Sequence, residues 1–184
     1  KRSESQADSQ KQAVAENREA LETPEFSTAA VGNDAGDVTL VEFFDYNCGY
    51  CKRMLPQLID LIENDDKLRV VFREWPVLGE ASQAAARVAL GVRQVAPEKY
   101  FEFHRTLLSH NGRVGKDEAM AVARDLDIDT AALESSAASN ATTAAIQENF
   151  RLGDALGLRG TPSYVVGDTV FMGAVPQEQI AQEI

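Results

Sequence analysis

The run Val38-Thr39-Leu40-Val41-Glu42-Phe43-Phe44 leads almost directly into Cys48-Gly49-Tyr50-Cys51, which holds the only two cysteines of the sequence. An unbroken series of β-branched and aromatic residues predicts a buried strand. Beyond the cysteines, Met54, Leu55, Leu58, Ile59, Leu61 and Ile62 fall at helical spacing. The chain therefore has to place two thiols where a helix leaves the end of a buried strand. The unpaired N–H groups and partial positive charge of a helix start stabilise a thiolate there. That arrangement points to thiol–disulfide exchange.

Two other uses of the pair compete with it. Residues three apart on a helix lie about 5–6 Å apart at Cβ, close enough for a disulfide after a small adjustment. A bridge closing so short a loop constrains the unfolded chain little, so it makes a weak staple but a serviceable redox couple. A zinc site would need His104 and His110 as further ligands. Their mutual spacing fits, but 52 residues separate Cys51 from His104, and on one helix the two rings point to different faces. No metal or cofactor is expected, and both histidines read as ordinary, partly exposed residues.

At 184 residues, 44% hydrophobic and 26% charged, the chain can bury a real core. The net charge of −11 argues against nucleic acid or an anionic membrane as partner. No apolar run is long enough to cross a bilayer. Lys1-Arg2-Ser3-Glu4-Ser5-Gln6 has no hydrophobic stretch behind it, so no signal peptide is expected in this sequence. Asp125-Leu126-Asp127-Ile128-Asp129 resembles the start of a calcium loop. Thr130 replaces the needed glycine, however, and Ser136 the bidentate glutamate, so it reads as a helix end followed by the cap of the next helix.

Four segments follow. Residues 1–37 form an arm and linker: a helix from Gln6 to Glu22, stopped at Thr23-Pro24, then a small, polar stretch. Its apolar stripe is thin (Ala13, Val14, Ala20, Leu21), so the arm is expected to fray or to join a second copy. Residues 38–79 form a β-α-β half, with a second strand over 68–75 ended by Pro76. Residues 80–156 turn helical, with Pro97 in a first turn, Gly112 and Gly115 in a loop, and Asn140 as a cap. Residues 157–184 return to strands over 163–166 and 169–172, joined at Gly167-Asp168, and close with a helix from Pro176.

Phe43-Phe44-Asp45-Tyr46-Asn47-Cys48-Gly49-Tyr50-Cys51-Lys52 and Gly160-Thr161-Pro162-Ser163-Tyr164 resemble the DsbA-like thiol–disulfide oxidoreductases, most closely the Com1-like branch often labelled as outer-membrane proteins. The resemblance covers about residues 38–184. It implies an α/β thioredoxin fold: a central mixed β-sheet flanked by helices, a helical insertion between the βαβ and ββα halves, and the N-terminal helical arm added outside.

The resemblance also implies roles for particular residues. Cys48 is the exposed, acidic thiol and Cys51 the shielded one, together a redox-active disulfide. Glu42 is a buried acid that exchanges the proton of Cys51, with Arg73 as a partner from the next strand. Pro56 kinks the helix that carries the thiols. Pro162 is a cis-proline, and with Thr161, Gly49 and Tyr50 it meets substrate. Implied partners are cysteine-containing secreted or envelope proteins and a membrane redox partner that resets the pair, in the periplasm or cell envelope. Oxidation is favoured as the direction. The alternatives are an isomerase or reductase oligomerised by the arm, as in the ScsC branch, and a binding module with an inert cysteine pair.

Overall fold

Leu40, Val41, Phe43 and Phe44 are all at most 1% exposed, so the strand that delivers the thiols is covered on both faces. This explains why its apolar run does not alternate. The computed structural model describes residues 2–184. In chain order its elements are α1 (Arg2–Glu22), β1 (Val31–Gly32), β2 (Val38–Phe44), α2 (Gly49–Asn64), β3 (Leu68–Glu74) and α3 (Glu80–Val95). They continue as α4 (Tyr100–Leu108), α5 (Lys116–Asp125), α6 (Thr130–Ala137), α7 (Asn140–Ala155), β4 (Ser163–Val166), β5 (Thr169–Met172) and α8 (Gln177–Ala181).

Among the described residues one sheet forms, in the order β1-β3-β2-β4-β5. β2 lies at its centre, parallel to β3 and antiparallel to β4. This is the thioredoxin fold, with α3–α7 inserted between the βαβ and ββα halves. The edge strand β1 falls in the stretch the sequence marks only as a polar linker. It pairs antiparallel with β3, and Gly32 (φ 84) permits the close approach. A Cβ at that position would sit 2.7 Å from the Leu68 carbonyl oxygen.

Strand alternation sorts the side chains into two cores. Leu40, Phe44, Val70, Phe72, Tyr164 and Val166 face α2 and the helical insertion. Val41, Phe43, Val71, Trp75 and Val165 face the other way, where Val14, Leu21, Leu152 and Leu156 cover them. The arm is therefore not frayed: its thin stripe, Val14 and Leu21 at 1% exposure, closes the second face of its own sheet. Full burial of two such side chains supplies about 1.5–3 kcal/mol each. Lys1, at the head of the expected arm, lies outside the described residues.

The same alternation corrects the expected pairing of Arg73 with Glu42. In the β2–β3 register Arg73 stands opposite Phe43 and Glu42 opposite Phe72, so the two charges point to opposite faces. Arg73 instead reaches the C-terminal end of α1, donating to the carbonyls of Ala20, Leu21 (3.0 Å) and Thr23 (2.5 Å), and pairs with Glu25 at 3.6 Å. The last turn of α1 has no basic residue of its own. Arg73 supplies from β3 the positive charge that a helix C-terminus favours. Ser139 rather than Asn140 caps α7, accepting from the Thr142 N–H at 3.2 Å, and Asp129 caps α6 in the same way at 3.1 Å.

Candidate functional site

Cys48 is the residue that caps α2. Its backbone is still extended (φ −81, ψ 116), and its Sγ accepts the Cys51 N–H at 3.1 Å. Pro56 lies inside the same helix. Both cysteines are free thiols. Cys48 also lies 3.5 Å from the carbonyl oxygen of Thr161, to which its thiol donates, and the Thr161–Pro162 peptide is cis. The expected exposure of Cys48 is corrected: it is only 5% exposed, while Cys51 is fully covered. What faces solvent is the neighbouring Tyr50 ring, 55% exposed, with the Arg53 guanidinium 4.3 Å from its centre.

This setting separates the two thiols. The hydrogen bond from the Cys51 thiol is the largest influence on Cys48. With help from the Thr161 side chain and the N–H groups of Cys51 and Tyr50, it outweighs the cost of burial and lowers Cys48 to about 6. Cys51 is pushed far up, chiefly by burial and then by the bond it gives to Cys48. At neutral pH the pair holds one anion, on the outer sulfur.

Glu42 lies beneath the pair on the α2 side of the sheet, 1% exposed. Burial above all, then the negative charge of Cys48, raises its carboxyl to about 8, although the Tyr164 hydroxyl favours the charged form. Tyr164 stands directly opposite Glu42 in the β2–β4 register. Glu42 Oε2 and the Tyr164 hydroxyl each lack a formed hydrogen bond among the described residues. Glu42 is therefore mostly protonated at pH 7 and has a proton to give.

The loop before Cys48 is braced to the helical insertion. Asp45 accepts from the Asn47 N–H (2.7 Å), the Ser82 hydroxyl (2.7 Å) and the Leu78 N–H (3.0 Å). Asn47 Nδ2 donates to Ser82 Oγ and to the Val114 carbonyl, both at 2.8 Å, and Asn47 Oδ1 accepts the Val114 N–H at 2.7 Å. On the other side of the pair, Lys52 Nζ donates to the carbonyls of His110 (2.6 Å) and Gly112 (3.3 Å).

Sequence reading missed these braces and also the state of His104. That ring is fully buried, not partly exposed. Its Nδ1 lies 3.1 Å from the Tyr46 hydroxyl, which donates to Glu74 at 3.2 Å, as the Tyr100 hydroxyl does at 2.9 Å. Burial, with the Arg93 charge, lowers His104 to about 3, so it stays neutral. His104 and His110 belong to no metal-ligating cluster: among the described residues no group of three or more His, Cys, Asp or Glu could hold an ion.

A thioredoxin fold whose Cys-x-x-Cys pair heads α2 and faces a cis-proline defines a class of dithiol proteins. Within it the chain belongs to the DSBA-like thioredoxin domain family, whose model matches residues 39–184. Among solved structures it is similar to a thioredoxin-like oxidoreductase from Silicibacter pomeroyi, with 40% identity, TM-score 0.84, and coverage of 91% of this chain and 95% of that one. The thiol-disulfide exchange protein alpha-DsbA2 of Wolbachia pipientis is similar at 31% identity and TM-score 0.87, over 97% and 96% of the two chains. A curated relative, the Na(+)/H(+) antiporter NhaA 1 of Salinispora arenicola, is 26% identical over 80% of this chain. The match spans only 22% of that antiporter's length.

Proposed function

We propose that this protein is a thiol–disulfide oxidoreductase that acts on cysteine-containing proteins outside the cytosol, with Cys48 as nucleophile and Cys51 as resolving thiol. The observation that carries this reading is the Cys48 sulfur held at the start of α2, accepting the Cys51 N–H at 3.1 Å. A sulfur so placed is a good leaving group, because its anion is stabilised before it departs.

In the oxidising direction a substrate thiolate attacks Cys48 Sγ of the Cys48–Cys51 disulfide. The S–S bond breaks, Cys51 leaves with the electron pair, and the Glu42 carboxyl supplies its proton. A second substrate thiolate then attacks the substrate sulfur of the mixed disulfide and releases Cys48 as a thiolate. The substrate gains a disulfide, and the protein holds two more electrons. Thr161, beside Pro162, offers its backbone to an extended substrate, and Gly49 and Tyr50 form the exposed rim. The redox-active disulfide is the only cofactor this scheme needs. A membrane redox partner would restore it in the periplasm or envelope, a setting that suits disulfide catalysis. Among the described residues no helix is long and apolar enough to cross a membrane.

Oxidation is favoured over an arm-assembled isomerase because Val14 and Leu21 are occupied by the protein's own sheet. The test uses the oxidised protein and a reduced dithiol peptide. Rapid peptide oxidation, lost in Cys48→Ser, supports the proposal. Negligible rates in both proteins would refute it and favour a non-catalytic binding module.

A further inference from the structure

Asn47 and Lys52 bracket the cysteine pair, one residue before Cys48 and one after Cys51. Both reach away from the sheet to the same segment, residues 110–114, between α4 and α5. Lys52 holds its first half through the carbonyls of His110 and Gly112. Asn47 holds its last residue in both directions, as donor to the Val114 carbonyl and as acceptor of the Val114 N–H. That two-way bond fixes which end of the carboxamide is oxygen and which is nitrogen. Val114 is itself fully buried, so the anchor is set in the core of the insertion rather than on a mobile surface.

The backbone of Asn47 is fixed as firmly as its side chain. Its N–H is bonded to Asp45 Oδ1, and Asp45 is fastened in turn to Ser82 of α3 and to the Leu78 N–H. The next residue is Cys48, whose own N–H is bonded to the Asp45 carbonyl at 3.0 Å. The direction in which the sulfur leaves the chain is therefore set by a residue whose four polar contacts all lie outside the sheet and α2.

We propose that Asn47 is a positioning residue for the Cys48 sulfur: through its paired hydrogen bonds to Val114 it makes the helical insertion, assisted by Lys52, the fixed reference that aims Cys48 at the N–H groups opening α2. This rests on the reading of Cys48 as the nucleophile. It adds that the insertion is part of the apparatus that sets the thiol's acidity, not only a cover for the core.

The test reads the reduced protein alone, by thiolate ultraviolet absorbance against pH, so it succeeds or fails whether or not the chain catalyses exchange. Asn47→Ala should raise the Cys48 midpoint by about one pH unit, a roughly tenfold loss of thiolate on the acid side. The Val114 amide should also exchange with deuterium faster. Leu21→Ala, which loosens the distant arm, serves as the control and should leave the midpoint where it was. A midpoint unchanged in Asn47→Ala overturns the proposal, as does an equal rise in Leu21→Ala. Should Asn47→Ala fail to fold, the parent decides: a Val114 amide that exchanges as freely as an exposed one overturns the proposal, and a protected one supports it.

Discussion

Replacing Glu42 by Gln should make the protein more stable, and by an amount that depends steeply on pH. In the folded chain the Glu42 carboxyl is 1% exposed and keeps its proton up to about 8, against an ordinary value of 4.5. Between those two values the unfolded chain has released a proton that the folded chain still holds. Stability must therefore fall as pH rises through that window. The span from 4.5 to about 8, at 1.36 kcal/mol per pH unit, amounts to about 5 kcal/mol in all and roughly 3 kcal/mol by pH 7. Gln has nearly the same shape and nothing to titrate, so Glu42→Gln lacks this slope. The two proteins should differ least below pH 4.5 and most near pH 8. Urea melts followed by the fluorescence of Trp75, the single tryptophan and only 5% exposed, measure the difference directly. Oxidising the pair removes the Cys48 anion, the second cause of the shift, and should shrink the slope without abolishing it, because burial is the first. A stability difference that stayed constant from pH 4 to pH 8 would falsify the argument, since it would mean that Glu42 titrates alike in both states.

Three further outcomes follow from the same geometry. Thiolate absorbance of the reduced protein should titrate with a midpoint near 6 and vanish in Cys48→Ser; the anion's stabilising effect on the fold is lost as pH falls through that midpoint, and a midpoint near 9 would contradict the helix-start argument. Arg73→Met should cost about 1–3 kcal/mol in urea melts, because it leaves α1 carbonyls without a donor while Glu25 keeps Arg93 at 3.9 Å and Asn149 as partners; a loss below about 0.5 kcal/mol would show that the arm does not depend on it. Gly153→Ala should destabilise by about 1–3 kcal/mol, since the added Cβ would fall 2.9 Å from two ring atoms of Trp75, whereas Gly160→Ala meets nothing within 4 Å and should be neutral by comparison in thermal melts.

Much of the sheet and the thiol pair could be read from the chain. β2 announced itself by an unbroken apolar run, α2 by its periodicity, and the Gly167-Asp168 turn by its glycine, which adopts φ 57. What escaped was set by contacts distant in sequence. Val14 and Leu21 make a stripe too thin to signal burial, and only the uncovered face of β2 and β3 gives it a destination. His104 resembles any polar helix residue until Phe44, Phe72 and Tyr46 close around it, with ring centres 4.2–5.6 Å away. Glu42 was legible as a buried acid, but its neighbour Tyr164 depended on the β2–β4 register, and the place of Arg73 on the face it occupies.

Two of the contacts that fasten α1 differ in kind. Near the β4–β5 hairpin, Arg18 meets Asp168, which is 63% exposed at its side chain, so dissolved ions can compete for the contact. Within one turn of Arg18, Arg73 holds the carbonyls of Ala20 and Leu21, and Arg73 and Glu25 are at most 7% exposed and beyond the reach of screening. Concentrated salt should therefore weaken the contact of Arg18 with the hairpin while the carbonyls of the last turn of α1 stay clasped. The cover over the second core should stay shut, because buried Val14 and Leu21 hold it without charge, and the thiols on the far side of the sheet would be undisturbed.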